Sequence, residues 1–429
     1  MESSRYLKIT GGTPLHGSIR IQGSKNAALP VVASGLLLGR GETLTCTNVP
    51  QLRDTETMAA LLRALGMTVT FENGSVTVSR TGDLSCEMPA AQVQKMRASS
   101  IVLGPLLAQH GRAVMPMPGG CTIGARPIDL HLKGLAKMGA QIELHHGAVY
   151  ATAEKLRGCR IYLDFPSVGA TENLVMAAAL AEGETIIENA AREPEITNLV
   201  QALQAMGADV VFKKDNQGII QVNGKPELAS GSVRVVPDRI AACTYLLGAV
   251  ITGGEVTVTD VMPQHFDSLL AKLEEAEVGY LRQEDRVTVY PSRERMKSLS
   301  VKTMPYPGFP TDVQPQLMAA LCLAHGTSVV KESIFESRFQ HVPELRKMGA
   351  EIDIQGNTAV IRGVETLNGS DVQATDLRAG AALALAGLAA EGETRVHGLK
   401  HILRGYEDFD KALNSLGANV SIEEGEGII

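Results

Sequence analysis

The sequence has no tryptophan, and aromatic residues make up only 4% of it. Its cores must therefore be aliphatic, built from Ala, Leu, Val and Ile. Cysteine is sparse and scattered: Cys46, Cys86, Cys121, Cys159, Cys243 and Cys322 include no Cys-x-x-Cys pair. That spacing suggests neither a zinc site nor a disulfide framework, and a reducing compartment is the simplest expectation. Long apolar runs are missing. The longest, Ala379 to Ala390, is too short to cross a bilayer and reads as a buried helix. Met1-Glu2-Ser3-Ser4-Arg5 lacks the apolar stretch of a secretory signal, so a cytoplasmic location is expected. Positive charge is also short overall. A net charge of −7 argues against a general nucleic-acid binder, and an anionic small substrate would need a local cluster of Arg and Lys.

At 429 residues the chain is long for one core, and two domains are expected. The chain also repeats itself. A Leu/Met-Gly step recurs at Leu65-Gly66, Met138-Gly139, Met206-Gly207, Met348-Gly349 and Leu416-Gly417. A degenerate copy at Ala276-Glu277 has lost the glycine. Successive spacings are 73, 68, 70, 72 and 68 residues, which argues for six copies of one supersecondary unit. The third copy serves as template. Glu172–Ala181 is small and apolar at helical spacing, and Glu184–Glu188 alternates as a strand. Glu195–Met206 is amphipathic, with Ile196, Leu199, Val200, Leu203 and Met206 on one face. Gly207 stops that helix, and two short strands follow near Asp209–Phe212 and Ile219–Val222. The unit is helix, strand, helix, strand, strand. In the second copy the first helix is expected over Ala98–His110. If three units form each domain, both helix N-termini of every unit face one way and offer unpaired N–H groups to an anion.

The residues before these helices are polar. Ser167 and Asp238 suit N-capping. Capping does not explain Lys25, Arg97, Arg126, Arg338, Arg378 and Arg404, because positive charge at a helix N-terminus is unfavourable without an anion. Together they point to a multiply charged ligand. One stretch stands apart: Pro118-Gly119-Gly120-Cys121-Thr122-Ile123-Gly124-Ala125-Arg126-Pro127. Its glycines allow close backbone approach to a ligand, Arg126 offers a fork for phosphate or carboxylate, and Cys121 is a potential acid or nucleophile.

These residues together resemble the enolpyruvyl transferase superfamily, over Gly11 to Val420. The motifs that carry the resemblance are Gly23-Ser24-Lys25-Asn26-Ala27-Ala28, Lys95-Met96-Arg97-Ala98-Ser99, the Cys121 loop, Ser167-Val168-Gly169-Ala170-Thr171, Ala191-Arg192-Glu193-Pro194-Glu195, Phe309-Pro310-Thr311-Asp312, Ala374-Thr375-Asp376-Leu377-Arg378 and Arg404-Gly405-Tyr406-Glu407. The resemblance implies an α/β fold of two domains, an inside-out α/β barrel with three repeats in each. A domain of residues 25–236 would be inserted into one made of 1–24 and 237–429, with the active site in the cleft between them. The implied reaction moves the enolpyruvyl group of phosphoenolpyruvate to the 3′-hydroxyl of UDP-N-acetylglucosamine and releases phosphate, through a tetrahedral intermediate. That is the first committed step of peptidoglycan synthesis.

The implied roles follow residue by residue. Cys121 is the proton donor to the enolpyruvate methylene and the target of the epoxide fosfomycin, on a loop that closes as a lid. Lys25, Asn26, Arg126, Arg378 and Arg404 contact phosphoenolpyruvate, and Lys25 and Arg404 join Cys121 and Asp312 as catalytic residues. Asp312 hydrogen-bonds the sugar hydroxyl and is the candidate base. Arg97, Arg126, Pro127, Ile128, Asp129, Leu130, Phe165, Pro166, Ser167, Val168 and Ile334 line the nucleotide sugar. Arg97 and Arg378 support the anions, Asp376 orients them, and Arg338 has a supporting role. No metal or organic cofactor is implied, and the sequence carries no signal for oligomeric state. The chain departs from the family pattern at Phe165, Ala241, Leu403, Ser337 and Pro315, none of them assigned to the chemistry. A sister branch uses shikimate 3-phosphate as acceptor, but the Gly-Gly-Cys loop and the Lys-Met-Arg-Ala-Ser motif fit the nucleotide sugar better. A catalytically silent branch that only binds the nucleotide sugar is the other reading.

Overall fold

The computed structural model describes residues 4–118, 128–214, 216–291 and 294–425. Their fold is mixed α/β and divides into two compact units. A host unit contains residues 4–22 and 237–425, and an inserted unit contains residues 23–118 and 128–236. The chain opens with two host strands, β1 (Ser4–Thr10) and β2 (His16–Arg20).

The inserted unit includes helices α1 (Lys25–Ala33), α2 (Arg53–Ala64), α3 (Leu103–His110), α4 (Asp129–Lys137), α5 (Val168–Ala178) and α6 (Pro194–Ala205). They are of two kinds. Helices α1, α3 and α5 are made mostly of small apolar residues and are enclosed along most of their length, as at Ala27–Ala33 and Ala170–Ala178. Helices α2, α4 and α6 are amphipathic; α6 buries Ile196, Leu199, Val200 and Leu203 and exposes Gln201 and Gln204. The two enclosed helices α3 and α5 touch backbone to backbone. A Cβ at Gly104 would lie 2.5 Å from the Asn173 carbonyl oxygen, so glycine is required there. The helix expected over Ala98–His110 is in two parts: a 3-10 turn over Arg97–Val102 and then α3. Pro105 accounts for the break, because its ring would strike the carbonyl of Ile101 in a continuous α-helix.

Three sheets flank these helices. Strand β3 (Thr43–Thr47) pairs in parallel with β4 (Gly231–Arg234) and antiparallel with Ser75–Ser79, which pairs with Thr68–Glu72. The same order recurs as Arg160–Tyr162, Glu184–Glu188, Asn216–Asn223 and Asp209–Lys213. The third sheet has three strands, Arg112–Pro116, Ala148–Thr152 and Gln141–His145, and its parallel lead shrinks to a single bridge between Glu87 and Val114.

The host unit repeats the plan with α7 (Arg239–Thr252), α8 (Asp267–Glu275), α9 (Gln314–Leu321), α10 (Val342–Lys347), α11 (Leu377–Ala389) and α12 (Phe409–Ser415). Helices α7, α9 and α11 pack on one another and are enclosed nearly all round. Strand β5 (Glu255–Thr259) takes β2 as its parallel lead. Strand β1 lies antiparallel between β6 (Glu393–His397) and β7 (Asn419–Gly425). Among the described residues no sheet closes on itself.

The repeat glycines end helices. Gly66, Gly139, Gly207, Gly349 and Gly417 have φ between 87° and 100°, the left-handed conformation of a helix C-terminal glycine. The degenerate copy keeps the geometry without the residue: Glu277 has φ 57°.

Candidate active site

In the host unit the site is built on Asp312, in the turn that leads into α9. That turn forms because Val313 N–H donates to Pro310 O and Gln314 N–H to Thr311 O. One carboxylate oxygen of Asp312 is 3.2 Å from Arg338 Nη2, and the other is 3.2 Å from Arg378 Nη2. The two arginine side chains are only 1% and 4% exposed, while Asp312 is 26% exposed. Two buried guanidinium groups thus hold a carboxylate whose remaining surface faces outward. Burial works against the Arg378 charge, but Asp312, Tyr406 and Asp238 outweigh it, and the net shift is upward.

A second carboxylate sets this turn against its neighbour. Glu332 is buried, and it accepts from Thr311 Oγ1 at 3.0 Å, Thr303 Oγ1 at 2.7 Å and Ile334 N–H at 2.8 Å. Asp312 and Ile334 are therefore positioned by one side chain. Nothing in the sequence pattern marked Glu332. Asp376, expected to orient the arginines, caps α11: Oδ1 accepts from Arg378 N–H at 2.8 Å and Ala379 N–H at 3.1 Å. Asp238 caps α7 in the same way. Arg404 lies in the segment before α12, half-buried. Gln22 staples that segment, donating to Gly405 O at 3.0 Å and accepting from Glu407 N–H at 2.9 Å.

In the inserted unit, Ser24 caps α1, accepting from Ala27 N–H at 3.3 Å, which places Lys25 and Asn26 in the first turn. Lys25 Nζ is 3.2 Å from Asp54 Oδ2, in the first turn of α2. Asp54 is a residue that the motif reading passed over. Its signal was an acidic residue in a first helical turn, which capping and dipole arguments explain without a site. Both cationic clusters thus carry their own carboxylate, Asp312 or Asp54, and helix-end charge is partly compensated within the protein.

Ser167 caps α5, accepting from Ala170 N–H at 3.3 Å. Phe165 is exposed, and Pro166 and Val168 are half-buried beside it. Ile128 occupies the N-cap position of α4, and Asp129 and Leu130 open its first turn. His131 is buried one residue further on. Gly104 N–H occupies Asn173 Oδ1 at 2.6 Å, so the amide donates to His131 Nδ1 at 2.9 Å. Burial pushes the His131 imidazole down to about 4, with Asp129 pulling it up and Arg97 lowering it further, so the ring is neutral.

Cys121, Arg126 and Pro127 lie outside the described residues. Of the described thiols, Cys46, Cys243 and Cys322 are pushed up to about 12 by burial, which makes them poor nucleophiles. Among the described residues no group of His, Cys, Asp or Glu converges as metal ligands, and no helix is long and apolar enough to cross a membrane.

The sequence and the fold recur in known proteins. The sequence model of EPSP synthase (3-phosphoshikimate 1-carboxyvinyltransferase) matches residues 9–424. The chain is 52% identical over 413 residues to UDP-N-acetylglucosamine 1-carboxyvinyltransferase 2 of Carboxydothermus hydrogenoformans, covering 96% of this chain and 98% of that protein. It is 49% identical to UDP-N-acetylglucosamine 1-carboxyvinyltransferase of Nitratidesulfovibrio vulgaris, covering 97% of this chain and 99% of the other. Among solved structures, the enolpyruvyl transferase NikO from Streptomyces tendae superposes with a TM-score of 0.89 at 25% identity, covering 99% of this chain and 100% of that one. EPSP synthase from Acinetobacter baumannii shares the fold, with a TM-score of 0.76 at 21% identity over 98% of this chain and 100% of the other. Matches of this extent settle the family: the chain belongs to the EPSP synthase family of carboxyvinyl, or enolpyruvyl, transferases.

Proposed function

We propose that this chain transfers the enolpyruvyl group of phosphoenolpyruvate to the 3′-hydroxyl of UDP-N-acetylglucosamine and releases inorganic phosphate. Half-identical relatives of that name, matched end to end, support the choice of acceptor. The observation that carries the chemistry is the Asp312 carboxylate gripped by Arg338 and Arg378. A hydroxyl adding to the C2 carbon of phosphoenolpyruvate must lose its proton, and the methylene carbon must gain one. Asp312 is the acceptor for the first proton and Cys121 the donor of the second. Loss of a methyl proton together with expulsion of phosphate then regenerates the carbon–carbon double bond, now as the enol ether of the sugar.

Lys25, Asn26, Arg126, Arg378 and Arg404 neutralise the carboxylate and phosphate of the donor. Arg97, Arg126, Pro127, Ile128, Asp129, Leu130, Phe165–Val168 and Ile334 hold the nucleotide sugar. Phe165 supplies an apolar ring where a basic side chain would have met the diphosphate, so more of that charge falls to Arg97 and Arg126. The reaction is the first committed step of peptidoglycan synthesis, and its substrates belong to the cytoplasm. The finer plan of the fold is six copies of one helix–strand–helix–strand–strand unit, three in each unit of an inside-out α/β barrel. It is supported by the recurrent order of a parallel lead strand followed by antiparallel partners.

The test is phosphate release with phosphoenolpyruvate and UDP-N-acetylglucosamine, each omitted in turn. Release only with both, and a product heavier by one enolpyruvyl group, is expected. Release with shikimate 3-phosphate instead, or nucleotide binding without release, would overturn the reading.

A further inference from the structure

Three enclosed helices of the host unit meet at a polar node that the reaction does not itself require. Thr244 of α7 and Gln316 of α9 are fully enclosed, and Tyr406 is 1% exposed. Thr244 Oγ1 lies 2.9 Å from Ile240 O, 2.8 Å from Tyr406 Oη and 3.1 Å from Gln316 Nε2. Tyr406 Oη in turn lies 3.4 Å from Nη1 of Arg378 in α11, whose Nη2 holds Asp312.

Proton direction in this chain is fixed by its two ends. A guanidinium only donates, so Tyr406 Oη accepts from Arg378. A backbone carbonyl only accepts, so the single Thr244 hydroxyl proton goes to Ile240 O. The Tyr406 proton must then go to Thr244 Oγ1, whose second lone pair takes the Gln316 amide. All four bonds hold together in this one polarity. Burial, above all, pushes the Tyr406 phenol up, so it keeps the proton that the direction requires. The ring is also wedged: Phe409 packs on it at 4.7 Å between centroids, and the Arg378 guanidinium carbon sits 5.8 Å from its centre.

We propose that Tyr406, aimed by Thr244, is a positioning residue that sets the Arg378 guanidinium and through it the Asp312 carboxylate. This rests on the transfer reading given above. Removing the phenol oxygen leaves a buried N–H of Arg378 without its acceptor, and the guanidinium must lean to find another. Removing the Thr244 hydroxyl leaves the phenol proton without an acceptor and turns Tyr406 away from its polarity. Two substitutions on different elements should therefore give one defect.

The variants are Tyr406→Phe, Thr244→Val and Thr244→Ser. With the folded fraction matched, Tyr406→Phe and Thr244→Val are each expected to lower kcat about tenfold, because a small displacement of the reacting groups is enough. KM for UDP-N-acetylglucosamine should change by less than about twofold. Thr244→Ser keeps the hydroxyl and should restore kcat. In urea unfolding, Tyr406→Phe and Thr244→Val should be non-additive when combined, since either alone breaks the same bond. Additive unfolding effects would overturn the node. Coupled unfolding with unchanged kcat, or a Thr244→Ser enzyme as slow as Thr244→Val, would overturn the positioning role. An unsubstituted protein that releases no phosphate overturns the transferase reading instead, and the unfolding cycle then decides the node alone.

Discussion

At the scale of single residues, charge is placed where solvent cannot reach it. Arg338 and Arg378 are enclosed, and Asp312 answers both. Asp312→Asn keeps the shape and removes the charge, leaving two buried cations against an amide. Breaking a buried pair by losing one partner costs about 3–5 kcal/mol, so urea unfolding should show a loss of that order alongside the loss of phosphate release. Normal stability in the Asp312→Asn enzyme would mean that the arginines are compensated elsewhere. Glu172 poses the opposite case. It is buried in α5, and burial first, then the charges of Glu195 and Glu193, raise it well above 4.5. The folded state therefore keeps a proton that the unfolded chain releases above pH 4.5, and stability falls as pH rises through that window. Glu172→Gln should flatten this fall while matching the unsubstituted protein in acid. Parallel urea midpoints across the pH series would show that the carboxyl is not the source. Neither arrangement was legible in the sequence. Arg338 and Arg378 could be read as cations at helix ends, but a linear pattern does not say which carboxylate faces them.

At the scale of elements, the recurrent helix stop was legible because its cause is local. A left-handed residue after the last turn favours glycine, so the repeat period shows in the sequence at Gly66, Gly139, Gly207, Gly349 and Gly417. Glu277 holds the same conformation with a side chain, which costs about 1 kcal/mol. Glu277→Gly should recover most of this, less the small worth of its exposed pair with Lys297. A rise in melting temperature is the readout, and a fall would show that the pair with Lys297 outweighs the strain. The polar node of α7 and α9 had a signal that composition alone does not reveal. Thr244 and Gln316 stand in helices otherwise built to be enclosed, and a buried polar group needs a partner. The partners themselves, Tyr406 and Arg378, come from elements far along the chain, and spacing within a helix cannot supply them. The interrupted helix at Arg97–Val102 is the reverse case: Pro105 announced it, and apolar periodicity concealed it.

At the scale of the whole molecule, a strand and the helix it leads into can belong to different units. Strand β2 leads into α1 yet pairs with β5, and β4 leads into α7 yet pairs with β3. Each sheet is ordinary, and only the connectivity is unusual, which is why residue patterns find the strands but not their partners. Strand β1 bridges β6 and β7, joining two strands that do not otherwise touch. Removing Ser4–Thr10 should therefore unfold the host unit while the inserted unit keeps its amide protection in hydrogen exchange. Equal loss of protection in both units would mean that they fold as one. The seams are closed on each side: Ser24 N–H donates to Val236 O at 2.7 Å, and Asp238 N–H to Gln22 O at 2.9 Å. This arrangement dictates an order of events on the ribosome. The first strands to emerge, β1 and β2, must wait unpaired while the inserted unit is made and can complete all three of its sheets. Synthesis then supplies β5, β6 and β7, so the segment made in the middle can be native first and the beginning of the chain is among the last parts to find its place.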